Sequence, residues 1–254
     1  MADFFTDLLD GFLNPSFLEK VRDKFHYEET RSSELRAVAE QMLPIMREEA
    51  FWERNISSRQ KLSGIEYVDR DYGNAVGNCG HTDADCSDIP CGTAAYEDVV
   101  MSLGAGIDSL QDHYSSQGML SKSYMLEVLA SELLLQGYGA YNRYIEKNTD
   151  RHVARYHFLG SEDSFPLSML PGLLDITDGR ITCNAAFCML PKKSVVFVAE
   201  LTEDEKVRCE GVCVGCNRRQ CPNRIAGNHP DQGIIARMAD LPLTYGYGRI
   251  FGKI

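Results

Sequence analysis

The sequence predicts an α+β fold, with mixed helices and an antiparallel-rich sheet, that carries an N-terminal helical extension. Three observations lead there. The first 55 residues show apolar stripes at helical spacing. The second half alternates short extended runs with helical ones but lacks the regular βαβ rhythm of a parallel sheet. Apolar residues make up 44% and charged residues 25% of the 254, the balance of a packed globular chain rather than a disordered, collagenous or coiled-coil one. At about 150 residues per domain, this length suits one large domain or one domain with an extension.

Taken in order, Phe4, Leu8, Leu9 and Phe12 form a first stripe, and Pro15 opens a second segment with Phe17, Leu18, Val21 and Phe25. Leu35, Val38, Met42, Ile45 and Met46 then recur at steps of three and four, so residues 2–55 read as helical, with the last stripe ending near Phe51 and Trp52. Residues 1–70 are assigned to the extension. Residues 71–94, rich in Gly, Asn, Asp and Cys, form a loop or domain join, because no regular element tolerates that composition. The α+β domain covers residues 95–254. Within it, Tyr96 to Leu103 reads as a strand stopped by Gly104 and Gly106, and Ile107 to Tyr114 as a helix. Leu126, Leu129, Leu133, Gly137, Ala140 and Tyr144 mark the seam of a long amphipathic helix, whose small residues require a close neighbour. His152 to Phe158 is strand-like, Pro166 to Ile176 helical, Arg180 to Cys183 short and extended, and Ser194 to Leu201 the strongest strand.

Asp and Glu exceed Lys and Arg by 37 to 26, a formal charge of −11 that repels phosphate backbones and anionic lipid, so neither nucleic acid nor membrane is expected as a partner. No run approaches the roughly 18 apolar residues of a membrane span, and the first ten residues carry acids where a signal peptide needs positive charge. A cytoplasmic location is the expectation. In that reducing compartment nine cysteines do not form a disulfide framework, and their clustering points to metal or redox chemistry.

Cys209, Cys213, Cys216 and Cys221 follow C-x3-C-x2-C-x4-C-P, shortly after the strongest strand. Four soft ligands within residues 209–221 can converge on one ion or cluster. Bacterial ferredoxin runs read C-x2-C-x2-C-x3-C-P, one residue tighter in two gaps and with the same final proline, which favours an iron-sulfur cluster of the 4Fe–4S type. A structural zinc site is the alternative, although zinc ligands more usually come as two separated C-x2-C pairs, and unliganded thiols are a third reading. Arg218, Arg219 and Arg224 would offset the charge of a thiolate-ligated cluster or dock an acidic redox partner, or are simply solvated. Cys79, Cys86 and Cys91, with His81, match no strong template, and Cys183 and Cys188 read as core thiols. Walker A, His-Glu-x-x-His and Gly-x-Ser-x-Gly motifs are absent. His152 and His157 lie five apart on one strand and so face opposite sides unless a bulge intervenes. Asp108, Asp112 and His113 read as a solvated helix face before an acid-base cluster.

The segment Ile181 to Val195, through Met189, Pro191, Ser194 and Val195, resembles the Met-x-Pro-x-x-Ser-Val stretch of the reactivation (activation) domain of vitamin B12-dependent methionine synthase. Free-standing bacterial relatives of that domain pair it with an upstream Leu-Gly-x-x-Ile-Asp, here Leu103, Gly104, Ile107 and Asp108, and a downstream Cys-Pro-x-Arg, here Cys221, Pro222 and Arg224. The resemblance covers about residues 95–225. It implies S-adenosylmethionine as methyl donor, cobalamin carried by a corrinoid or methyltransferase partner, and a flavodoxin-like or ferredoxin-like electron donor. One electron takes Co(II) to the nucleophilic Co(I), which the sulfonium methyl traps, so that an uphill reduction is drawn forward by an irreversible transfer. The family's Arg-x-x-Pro-Gly-Tyr motif is represented by Arg155 alone, which would grip the methionyl carboxylate, while Pro-Gly-Tyr is missing. Where the synthase has a ligand-contacting tyrosine strand, this chain has Glu203-Asp-Glu-Lys and then the cysteines.

Overall fold

The structure, a computed structural model, describes residues 4–57, 95–204, 206, 207 and 209. Helix α1 (Phe4–Asp10) buries Phe4, Phe5, Leu8 and Leu9. Helix α2 (Pro15–Lys24) starts where Asn14 Oδ1 accepts the Ser16 amide at 3.0 Å and Pro15 supplies a preset φ, and it buries Phe17, Leu18 and Val21. Helix α3 (Ser32–Glu49) buries Leu35, Val38, Met42 and Met46, the expected stripe. Here one expectation is corrected: helix does not run through residue 55. The chain passes Ala50 directly into strand β1 (Phe51–Ser57). Helical spacing ends at Met46, and Ala50, with extended backbone at ψ 141°, carries the chain into a strand opened by the aromatic pair Phe51 and Trp52, residue types that suit a half-buried sheet.

Strand β2 (Ala95–Ser102), helix α4 (Ala105–Ser116), helix α5 (Leu120–Asn148), strand β3 (His152–His157), the short helix α6 (Leu170–Leu174), the two-residue strands β4 (Thr182–Cys183) and β5 (Met189–Leu190), and strand β6 (Ser194–Thr202) complete the described chain. The main sheet has the order β1-β2-β6-β3 and is antiparallel throughout; β4 and β5 form a separate hairpin. Its inner face, with Val99, Met101, Phe197, Ala199 and Tyr156, packs on the helices in one apolar cluster that also holds the buried residues of α1, α2 and α3. Its outer face, with Tyr96, Val100, Val196 and Val198, lies under Phe165, Leu170, Leu173 and Ile181. Cover on both faces explains why β6 reads as an almost unbroken apolar run rather than an alternation.

Helix α5, at 29 residues, is the spine of the inner layer. It contacts α1, α3, α4 and β3, so burial extends beyond the expected seam to Met125, Tyr138, Tyr141 and Ile145. At Gly137 the helix passes close to β2: a Cβ there would sit 2.9 Å from the terminal methyl of Met101, which would have to move aside. Tyr138 and Tyr141 hold Phe197 between them at ring separations of 5.0 and 5.5 Å. Among the described residues no helix is long and apolar enough to cross a membrane.

Two buried polar groups tie elements together, one between helices and one between α5 and the sheet. Lys24 Nζ of α2 meets Glu132 Oε2 of α5 at 2.5 Å, with side chains 5% and 0% exposed, and Glu132 Oε1 has no hydrogen-bond partner. Tyr141 donates to Glu97 Oε2 at 2.8 Å, and Arg54 Nη1 bonds both oxygens of the same carboxylate. Burial, reinforced by Glu97, pushes the Tyr141 hydroxyl far above its ordinary range; burial, with Cys209 nearby, does the same for Tyr156, and burial lifts Tyr27 to about 12.

Replacing Lys24 by Met leaves Glu132 buried and uncompensated, and urea denaturation should show a loss of about 3–5 kcal/mol, most of it recovered in Lys24→Met/Glu132→Leu. A loss under about 1 kcal/mol would class the pair with surface bridges. Raised tyrosine pKa values mean that the folded state holds these protons after the unfolded chain releases them. Their stabilisation is complete below pH about 10 and declines as pH rises. In an alkaline titration, Tyr141 and Tyr156 should ionise only together with loss of far-UV circular dichroism; tyrosinate from all twelve tyrosines in a folded protein would contradict this.

Candidate functional site

The segments Leu103–Asp108 and Met189–Val195 are adjacent in space. Antiparallel pairing sets Ser102 at the end of β2 opposite Ser194 at the start of β6. Ser194 Oγ lies 2.9 Å from Ser102 Oγ and 2.8 Å from the Pro191 carbonyl oxygen. The Leu103 amide donates to the Lys193 carbonyl at 2.9 Å, and the Lys192 amide donates to Asp108 Oδ2 at 2.6 Å. The turn Leu103–Gly104 and the first turn of α4 are thus laced to the loop that contains the cis Leu190–Pro191 bond. Asp108 serves this lacing; Asp112 lies 3.6 Å from Lys192 Nζ, and His113 packs beside Tyr114 near the helix end, so the three form no acid-base cluster.

Glu49, the last residue of α3, closes the same locus from below. Its Oε2 accepts the Gly106 amide at 2.6 Å, placing a carboxylate at the electropositive start of α4. Gly104 has φ +91°, and a Cβ there would overlap the Glu49 side chain. On the α5 side, Glu127 takes the Lys193 ammonium and, at 2.9 Å, the Gln111 amide. Burial alone would push the Glu127 carboxyl up, but these hydrogen bonds and the Lys193 charge hold it below its usual range.

A second polar group occupies the outer face of the sheet. Between Val153 and Arg155 the β3–β6 register shifts, so the bulge brings His152, Arg155 and His157 to one face, opposite Thr202, Glu200 and Val198. The expectation that the two histidines face opposite sides holds only for a regular strand and is corrected by this bulge. His157 is buried and stacked on Phe165 at 4.3 Å, with Nδ1 3.1 Å from Glu162 Oε1 and Nε2 3.1 Å from Glu200 Oε2. Arg155 Nη2 meets Glu162 Oε2 at 3.2 Å. His152 Nε2 instead bonds the Val207 carbonyl and so fastens the chain just before the cysteines.

Cys209 is described and its three expected co-ligands are not. Its side chain belongs to the main apolar cluster at 5% exposure, close to Tyr156. Cys213, Cys216 and Cys221, Arg218, Arg219 and Arg224, and Cys79, Cys86 and Cys91 with His81 lie outside the described residues. Cys183 is half-buried and Cys188 exposed on the β4–β5 hairpin, where Cys188 departs from the expected core position because its hairpin tip projects from the sheet. Among the described residues no group of three or more His, Cys, Asp or Glu side chains is arranged to hold a metal ion. Both nitrogens of His157 are engaged by carboxylates, Glu162 on Nδ1 and Glu200 on Nε2.

Sequence reasoning singled out Arg155, Asp108 and both histidines but missed Glu49, Glu127, Glu162 and Glu200. Of these, Glu200 alone left a trace, as a carboxylate interrupting the apolar run of β6. No protein-family model matches the chain, and no curated protein does so either.

Gly104→Ala is expected to destabilise the fold by about 1–3 kcal/mol through the positive φ alone, and by more through overlap with Glu49. Glu49→Ala added to Gly104→Ala should return little of that loss, because alanine keeps the Glu49 Cβ that a Cβ at residue 104 would meet at 2.4 Å. Equal denaturation midpoints for the wild type and Gly104→Ala would refute this account of the turn.

Proposed function

We propose that this protein is an accessory factor for the reductive reactivation of a cobalamin (corrinoid) methyltransferase system, acting through S-adenosylmethionine-linked methylation of the reduced cofactor or through electron delivery to it. The observation that carries the reading is the lacing of Leu103–Asp108 to Met189–Val195. The two stretches that resemble the activation domain are 81 or more residues apart in sequence, by subtraction of 108 from 189, yet they make one turn-on-loop unit. Such a unit is the natural place for a family signature, because each half is meaningless without the other. Arg155 is the residue carried over for the methionyl carboxylate, and cobalamin is brought by the partner protein.

Cys209, Cys213, Cys216 and Cys221 would hold an iron-sulfur cluster, with zinc as the alternative. A sulfur donor at the rim of an apolar, water-poor core suits a soft ligand set. A cluster there would supply one low-potential electron, replenished by a ferredoxin-like or flavodoxin-like donor. A second reading, a binding module that docks on a corrinoid or methyltransferase protein without S-adenosylmethionine, is favoured by one feature. The Arg155 guanidinium is already engaged by Glu162.

The deciding measurement is the iron, zinc and acid-labile sulfide content of anaerobically purified protein, beside a Cys213→Ser/Cys216→Ser variant. Iron with near-stoichiometric sulfide, lost in the variant, is expected, together with reduction of cob(II)alamin by the loaded protein. Zinc without sulfide would leave a structural staple, and absence of metal would remove the electron-delivery role.

A further inference from the structure

Between Val207 and Cys209 the chain passes round the edge of the sheet. Among the described residues β3 is an outermost strand, paired only with β6. His152, at the start of β3, lies opposite Thr202 on the outer face, and its Nε2 bonds the Val207 carbonyl. Two residues later the Cys209 side chain is 5% exposed in the apolar cluster of the inner layer, close to Tyr156. Two residues span at most about 7 Å. The point at which the chain is held on the outer side therefore sets how far the thiol reaches on the inner one.

The turn that leads there is shaped by its own hydrogen bonds. The Asp204 amide donates to Thr202 Oγ1, the Lys206 amide to Asp204 Oδ1 and the Val207 amide to the Asp204 carbonyl, each at 3.0 Å. Arg151 meets Glu203 at 3.1 Å, but these side chains are 40% and 70% exposed, and such a pair contributes little. The tie from Val207 to β3 is His152, which is buried. A carbonyl oxygen only accepts, so Nε2 carries a proton and donates it, and this contact fixes the orientation of the ring.

We infer that His152 is a positioning residue for the cysteine site: by holding the Val207 carbonyl at the edge of β3, it sets where Cys209, the first thiol of the run, is presented. This rests on the reading above, in which Cys209 is one of the metal ligands. His152 touches no metal in this role. It acts through the backbone two residues ahead of the thiol, by means of its N–H donor.

The test uses full-length protein purified anaerobically, as wild type, His152→Ala, His152→Gln and Arg151→Ala. Two rates are measured: release of bound iron or zinc to a chelator, and alkylation of Cys209 by iodoacetamide relative to Cys183, followed by peptide mass spectrometry. Cys183, half-buried on the β4–β5 hairpin, reports any general loosening. Loss of the hydrogen bond in His152→Ala should raise both the metal release rate and the alkylation ratio about tenfold. His152→Gln, whose side-chain amide still donates to the Val207 carbonyl, should stay within about threefold of wild type, and Arg151→Ala within about twofold. His152→Phe, which keeps a buried ring without a donor, gives the same readout should His152→Ala lose its far-UV circular dichroism. An unchanged alkylation ratio in the variant without a donor overturns this inference and leaves the metal reading standing. So does a raised ratio with unchanged metal release, or an equal rise in His152→Gln. Wild type that holds neither iron nor zinc overturns the metal reading and this inference with it.

Discussion

Ser102 and Ser194 are 92 residues apart in the chain and meet at one end of the central strand pair, where β2 and β6 run antiparallel. The register of that one pairing governs most of what surrounds it. A slip of one residue would turn Phe197 and Ala199 away from α5 and drive Val196 and Val198 into the helical layer, because side chains alternate faces along a strand. It would also separate Leu103 from Lys193 and Asp108 from the Lys192 amide. Apolar cover on both faces makes the register unambiguous: Phe197 fits between Tyr138 and Tyr141 on the inner side, and Val198 lies under the Phe165 loop on the outer side.

Charged groups join neighbouring elements. Glu49 links the end of α3 to the first turn of α4, Lys24 links α2 to Glu132 on α5, Arg54 on β1 reaches Glu97 on β2, and Lys193 before β6 reaches Glu127 on α5. Every one of these contacts crosses from one element to another. For the buried carboxylates Glu132 and Glu97, desolvation offsets much of the Coulomb attraction, so these pairs contribute chiefly by penalising arrangements that leave a charge buried alone. The apolar stripes of α1, α2 and α3 would pack against α5 in more than one way. The position of Lys24 excludes those that strand the buried Glu132 carboxylate.

The outer face carries a different kind of polarity. Arg155, His157, Glu162 and Glu200 are neighbours through the β3 bulge and the tight loop that follows it, and no single stretch of sequence announces them as a group. Arg155 and His157 were each singled out in the sequence, but nothing there placed them beside Glu162 and Glu200. A strand assumed regular puts His152 and His157 on opposite sides, and only the register shift between Val153 and Arg155 reverses that. The strand at Phe51–Ser57 was missed for a related reason. The helical stripe before it is strong, and Ala50 gives no glycine or proline to mark the change.

The sequence by itself determined the α+β class, the helices α1 to α5 and the strands β2, β3 and β6, since apolar periodicity is a local property readable along a dozen residues. It also determined the spacing of Cys209, Cys213, Cys216 and Cys221 and the acidic balance of the chain. Only the tertiary structure decided that Leu103–Asp108 and Met189–Val195 form one unit, that Arg155 meets Glu162, and that Cys209 sits in the apolar core. These facts depend on which distant segments pair and in which register. That choice follows from filling both faces of the sheet at once and leaving no buried charge uncompensated, conditions that no local window of residues contains.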